Sequence, residues 1–484
     1  MENKKSTSHD GESHTNPPAT SKLFPISALI LFISILIYRY STFGPFAPLQ
    51  CQLVGIGCLS TKVQGYVAPE FINVKKAFIT NFENGDEVGS SVAVYYNGKL
   101  VVDLQGGYAD LETMREYDNN TLQPVFSTSK TLCSIVIAYL VDRGILDYNE
   151  KISTYWPEFA QGNKENVTLL DLVNHRAGVS YLDTLVKSDL EDLDKLAKVL
   201  AAQPHSFGGV PNRAYHASTY GWYLNEIVRR VDPKHRTIGK IVSEEILTQY
   251  DLEFYLSLPP NLISRIAELY ETPTVRATID SLSTLIFKSW WAGKVPGSYF
   301  SRFNDKESVL YKTFYYPSPT TQKFTDFSKL EFVTIEFPGV NGITNAKSIA
   351  KLGAIIVNNG QPLSDDSSSS SSSVSSKPFL SKSTVDLIST KLPVTYDHVI
   401  YTNITPSFGG FAYFRMPGIE DTEFLGWGGF GGSLFLWNQE LGISFGYAMN
   451  ALWLPSYGVV SDQRAWSLLK EIVNVVKKLK IEQV

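Results

Sequence analysis

The chain has 484 residues, of which 43% are hydrophobic and 19% charged. That composition marks a globular chain and excludes a largely disordered one. A formal net charge of −5 leaves no basic footprint for nucleic acid. The three cysteines and seven histidines form no CxxC pair and no HExxH-like spacing, so neither a metal site nor a cofactor is expected.

Residues 1–22 are polar and rich in Ser, Thr, Asn and Pro, the composition of a disordered tail. Residues 23–40 carry no charge before Arg39. As a helix they would reach roughly 27 Å, near the lower limit of a membrane span. The long preceding tail and the lack of an A-x-A cleavage site favour a signal-anchor over a cleaved signal peptide. Lys4, Lys5 and Lys22 precede the run. The expected topology is therefore a single-pass membrane protein with a cytosolic N-terminus and a lumenal or extracellular domain; a mitochondrial or secreted chain is the alternative. Sequons at Asn119, Asn166 and Asn403 agree with that placement but occur at about the frequency chance supplies. Residues 41–65 read as a stalk. They hold Cys51 and Cys58, which could bridge in an oxidising compartment; the sequence leaves that open.

From residue 66 to 484 the pattern is globular. SSVAVYYNGKLVVDLQGG (90–107) predicts two strands turning at Asn97-Gly98, the strongest short hairpin signal. Thr128 to Arg143 predicts a helix that is apolar nearly all round and ends before Gly144, so it must be buried. Cys133 within it reads as a small buried hydrophobe. Residues 150–340 hold helical stretches with few strand signals. The Ser-rich run at 364–377 is too polar to pack and reads as an exposed loop. Residues 424–450 return to strand composition, with SLFLWN and ISFGYAMN after a Gly-rich turn. The last 24 residues predict an amphipathic helix with basic residues at its end. Strands at both ends and helices between them imply an α+β fold: an antiparallel sheet built from both chain ends, flanked by helices, plus a mostly helical insertion. A site would lie at the seam of the two parts.

The pattern Ser-x-x-Lys occurs at Ser127–Lys130, Ser348–Lys351 and Ser467–Lys470. The later two fall on amphipathic helices, where the lysine is expected to face water. Only the first opens the buried helix, which puts Ser127 at a helix N-terminus that favours a developing anion and Lys130 on the same helix face. Desolvation there would favour the uncharged amine, a base for the serine. On spacing alone, an N-cap serine with a snorkelling lysine accounts for the pair equally well. No GxSxG elbow occurs, which argues against an α/β-hydrolase. GWGGFG (426–431) formally matches GxGxxG, but a strand rather than a helix follows it, so a dinucleotide site is discarded.

FSTSKT (126–131) resembles the nucleophile motif of class C β-lactamases and the related serine β-lactamase-like esterases. LLDLVNHRAGV (169–179), YHASTYGWYLNEIVRRV (215–231), NGITNAKSIAKL (341–352) and GWGGFGGSLFLWN (426–438) are similar to further segments of that family, in family order. The resemblance, spanning roughly residues 66–480, implies a β-lactamase/transpeptidase-like fold. It also implies a serine hydrolase in which Ser127 forms an acyl-enzyme, Lys130 and Tyr215 share general base and acid work, and the Ser127 and Phe430 N–H groups form the oxyanion hole. Trp427, Gly428, Gly429 and His216 would line the substrate site, with a supporting or structural role for His216 as the other reading; His175 reads as structural. Two departures narrow the reading. Tyr215-His216-Ala217 lacks the asparagine of the lactamase Tyr-x-Asn. Trp427-Gly428-Gly429 lacks the cation of Lys-Thr-Gly that would pair a substrate carboxylate. The expectation is an esterase-type enzyme acting on a small neutral ester, lactone or amide. The alternative is a catalytically silent scaffold or assembly module.

Overall fold

The computed structural model describes residues 20–185, 189–190, 192–274, 276, 305–315, 323–363, 377–453 and 462–482. The tail through residue 19, nearly all of the Ser-rich run and residues 277–304 of the expected insertion lie outside the described residues.

Asn97 and Gly98 both adopt positive φ, 48° and 76°, as a two-residue hairpin turn of right-handed twist requires. They join the strands Gly89–Tyr96 and Lys99–Asp110. These belong to a ten-stranded antiparallel sheet. Its main path runs Val63–Val67, Lys99–Asp110, Gly89–Tyr96, Ile443–Met449, Leu434–Asn438, Glu423–Gly428, Ala412–Arg415, Asn403–Pro406 and Thr395–Tyr396, with Arg115–Glu116 paired off the second. The chain ends meet in its middle, where Val92 lies opposite Tyr447.

The pleat separates two cores. Val92 and Val94 pack with Phe78 of the helix Ile72–Glu83 and with Leu468 and Ile472 of the helix Gln463–Glu482. Ala93 and Tyr95 face the other way, toward Ile349 and Ala350 of the helix Ala346–Val357. The terminal helix buries Ala465, Leu468, Leu469, Ile472, Val473 and Val476, the 3–4 spacing of one apolar face. The helix Ser129–Asp142 is buried at every position from Ser129 to Leu140. It lies between the sheet and the helix Thr219–Val231, and Gly144 follows its end at φ +69°. Cys133 on it is fully buried, and burial pushes its thiol up to about 12.

The N-terminal segment departs from expectation. A helix does run over Thr20–Thr42. Yet no helix among the described residues is long and apolar enough to cross a membrane. The end of the Thr20–Thr42 helix is also tied to the rest of the chain. Arg276 Nη1 donates to Tyr40 O and Phe43 O at 2.5 and 2.7 Å, and Arg39 donates to Gln52 O and Cys51 O at 3.2 and 3.3 Å. This overturns the expected single-pass membrane anchor and the topology built on it. Beyond the helix, Gly44 N and Phe46 N donate to Asn84 O and Gly85 O, Cys51 and Cys58 form a disulfide, and the sheet begins at Val63. Part of the expected stalk is therefore packed on the domain.

Candidate active site

The chain reaches the head of the buried helix through a kink. Phe126 sits at φ +47°, a left-handed conformation that is costly for an aromatic residue and persists only where the surroundings impose it. Here its ring packs edge-on against Phe327 and Phe430 at 5.4 and 5.7 Å, and Ser129 Oγ donates to its carbonyl. The turn Phe126–Thr128 then feeds the helix. From residue 121 to 140, Ser127 alone is not buried. The kink thus lifts one hydroxyl out of an otherwise sealed segment.

Two groups converge on that hydroxyl. Tyr215 donates to Ser127 Oγ at 2.7 Å, and Lys130 Nζ donates to it at 3.3 Å. The same ammonium donates to Ala217 O and Gly339 O, each at 2.7 Å. Three acceptors match its three hydrogens, so the head group of a 3% exposed lysine is fixed in direction. It lies 5.0 Å from the Tyr215 ring centroid. The missing amide of Tyr-x-Asn therefore leaves no gap at Lys130, because the main-chain carbonyl of Ala217 holds the ammonium.

Tyr215 is set by a buried pair that sequence reasoning missed. Arg213 Nε meets Asp397 Oδ2 at 3.0 Å, with both side chains almost wholly buried. Asp397 Oδ1 accepts from the Tyr215 N–H at 3.1 Å and from Val399 N and Ile400 N. The Tyr215 ring stacks on Trp427 at 5.6 Å. Trp427 is 3% exposed and lies on the strand Glu423–Gly428, where it forms a back wall for Tyr215.

The remaining wall is the Gly-rich turn. A side chain at Gly429 would place Cβ 2.1 Å from Val125 O, so this strand end can close on the nucleophile turn only as glycine. Gly429 N donates to Ser433 O at 2.8 Å. Ser433 Oγ donates to Val125 O at 2.8 Å and lies 2.9 Å from Thr128 Oγ1. Two buried hydroxyls thereby clasp the Phe126–Thr128 turn to the Gly429–Gly432 turn. Phe430 is half-buried between them, its ring stacked on Phe324 at 3.9 Å.

His216 is not brought to the nucleophile. It is fully buried, its Nδ1 pairs with Ala214 O at 2.6 Å, and its N–H donates to His175 Nδ1 at 3.1 Å. Burial pushes His216 down to about 3. His175 is also held well below the ordinary histidine range, by burial first and then by Arg213, His216 and Lys130. Both rings are therefore neutral; His175 packs against Tyr215 and Tyr220, and His216 packs against His175. The other two Ser-x-x-Lys pairs lie elsewhere. Lys470 is exposed as expected. Lys351, expected in water, is 5% exposed and pairs with Asp251 at 3.3 Å, because its helix is covered on that side.

Comparison with known proteins follows the same outline. The family model described as Beta-lactamase matches residues 74–469. The chain is 27% identical over 402 residues to Esterase/beta-lactamase LipL of Mycobacterium tuberculosis, covering 81% of this chain and 84% of that protein. Among solved structures it is similar to a family VIII carboxylesterase, with TM-score 0.70, 28% identity, and coverage of 86% of this chain and 100% of that one. It is also similar to a penicillin-binding protein homologue from Caulobacter crescentus, with TM-score 0.68, 25% identity, and coverage of 86% and 100%.

Proposed function

Since the chain belongs to the Beta-lactamase family, we propose that it is an esterase-type serine hydrolase working through an acyl-enzyme on Ser127. One observation carries the reading: the only unburied residue of segment 121–140 is a serine whose Oγ lies 2.7 Å from the Tyr215 hydroxyl and 3.3 Å from Lys130 Nζ. Ser127 Oγ attacks the carbonyl carbon of the substrate. The step requires the Lys130–Tyr215 pair to have lost one proton: the deprotonated member then takes the Ser127 proton, and Tyr215 returns a proton to the leaving oxygen or nitrogen as that bond breaks. The carbonyl electrons shift onto the oxygen, which the Ser127 and Phe430 N–H groups receive. Water, deprotonated by the same pair, then attacks the acyl carbon and releases Ser127.

The substrate class follows from Trp427. The lactamase cation that would face a carboxylate is replaced by a ring packed on Tyr215. The buried Arg213 nearby is held by Asp397. A neutral ester, lactone or amide with no carboxylate beside the reacting carbonyl suits such a wall.

The test is labelling with a fluorophosphonate probe, read by intact mass and peptide mapping. We expect one adduct, on Ser127, absent from Ser127→Ala, together with Ser127-dependent hydrolysis of neutral p-nitrophenyl esters. An unlabelled Ser127 in folded protein, with no ester turnover, would instead establish a silent scaffold.

A further inference from the structure

The first turn of the terminal helix carries Arg464, a guanidinium that is 1% exposed. Its Nε donates to Asp462 Oδ1 at 3.0 Å, and its Nη2 to Asp462 Oδ2 at 2.6 Å. On the opposite edge Nη1 donates to Glu87 Oε2 at 3.2 Å and to Ala451 O at 2.9 Å. The second Nη2 hydrogen goes to Gly431 O at 2.7 Å. Gly431 is the residue after Phe430, whose N–H is the strand-side oxyanion donor in the function proposed above.

The turn is shaped to receive that bond. Gly431 and Gly432 both sit at positive φ, 83° and 125°, which swings the Gly431 carbonyl inward toward the guanidinium. A Cβ at Gly432 would lie 1.9 Å from Asp462 Oδ2, so the carboxylate occupies space that only glycine leaves. Gly432 N closes the turn on Gly429 O at 3.2 Å. Clasped at one end by Ser433, the turn is held at its other end through Gly431 O, which accepts from the Arg464 side chain and, at 3.2 Å, from the Trp453 N–H.

Stability is a weak account of this arrangement. Burying a guanidinium with two carboxylates costs desolvation that their attraction often fails to offset, and apolar replacements of such clusters are frequently neutral or stabilising. Arginine does supply a rigid planar fork that can bond a carboxylate on one edge and a carbonyl on another at fixed angles. We infer that Arg464, oriented by Asp462, is a positioning residue that holds the Gly429–Gly432 turn so that the Phe430 N–H points at the developing oxyanion. The inference rests on the function proposed above. It extends the catalytic apparatus to the terminal helix, through a residue that touches no substrate.

The experiment compares Arg464→Lys with Glu87→Gln in the full chain. Both disturb one buried charge cluster, but only the first removes the bond to Gly431 O. For a neutral p-nitrophenyl ester, Arg464→Lys is expected to lower kcat roughly 10–100-fold with KM within about twofold, less than the ~10²–10³ of deleting an oxyanion donor outright. Glu87→Gln is expected to lower the melting temperature while kcat stays within about twofold. If Arg464→Lys does not fold, Asp462→Asn loosens the same fork and is expected to lower kcat severalfold. Wild-type kcat in the folded Arg464→Lys or Asp462→Asn protein overturns the inference and leaves the Ser127 reading intact. So does an equal fall in Glu87→Gln at matched melting temperature. Failure of the probe to label wild-type Ser127 overturns both together.

Discussion

Gly339 presents its carbonyl oxygen 2.7 Å from Lys130 Nζ across 209 residues of chain, and a Cβ on Gly339 would stand 3.1 Å from Lys130 Cγ. The loop carrying it is pressed onto the helix Thr219–Val231, where a Cβ on Gly221 would overlap Pro338 O at 1.6 Å. The lysine head group is thus aimed by a backbone loop seated on a helix. At φ +78°, Gly339→Ala strains the loop and crowds the lysine stem. We expect kcat for a neutral ester to fall about tenfold or more, since misplacing a catalytic group by an ångström costs up to ~10²-fold. Unchanged kcat in a folded Gly339→Ala protein would show that Lys130 needs no such guide.

Tyr215→Phe removes the hydroxyl and keeps the ring on Trp427. The expected result is a kcat lower by about 10²–10⁴, the usual scale of a lost general acid–base, with little change in melting temperature. Stopped-flow ester hydrolysis alongside thermal unfolding checks it. A loss of only a few fold would leave Lys130 as the sole base.

The lack of a carboxylate-binding cation predicts indifference to charge. A penicillin and its methyl ester should acylate Ser127 at rates within about threefold of each other. A site with a charge-assisted bond worth ~1.5–3 kcal/mol would favour the acid by roughly 10–100-fold. Intact-mass time courses with the matched pair decide the matter.

Thr128 and Ser433 should act as a unit. Thr128→Val and Ser433→Ala each leave a buried polar group short of a partner, at about 1–3 kcal/mol. In a double-mutant cycle of urea unfolding the two should couple by about 0.5–3 kcal/mol. Simple additivity would mean that the two turns are joined by packing and not by the hydroxyl clasp.

His216 predicts acid sensitivity. Its folded pKa of about 3 lies below the ordinary 6.5, so the unfolded chain takes up a proton the native state refuses. Its contribution is complete above pH 6.5 and is lost as pH falls toward 3, at about 1.4 kcal/mol per pH unit, or roughly 2 kcal/mol by pH 5. His216→Gln should therefore lose less stability between pH 7 and 5 than wild type, as measured by urea midpoints. Parallel curves would place the acid lability elsewhere.

What was legible in the sequence was what local pattern encodes. Asn97-Gly98 named the hairpin, the apolar run after Ser127 named the buried helix, and the order of the family-like segments named the fold. The structure draws Ser127, Lys130 and Tyr215 together. The supporting groups were invisible because they act through the backbone or from far along the chain. Ala217 and Gly339 contribute carbonyls, which no residue type advertises. Asp397 lies 182 residues from the amide it anchors, with only a common turn pattern around it. The N-terminal apolar run misled because hydropathy read alone does not see Arg39 and Arg276 tying its end to the domain.

The central strand pair has a bearing on biosynthesis. Val92 finds Tyr447 opposite it only after some 350 residues have emerged, which at ~5–20 residues per second leaves the hairpin edge bare for tens of seconds. An unpaired apolar strand edge is a template for aggregation, so the nascent chain is a natural client for chaperones until Ile443–Met449 arrives. The turn at Gly429–Gly432 comes from the same late strands, so a chain broken off before them lacks one wall of the candidate site.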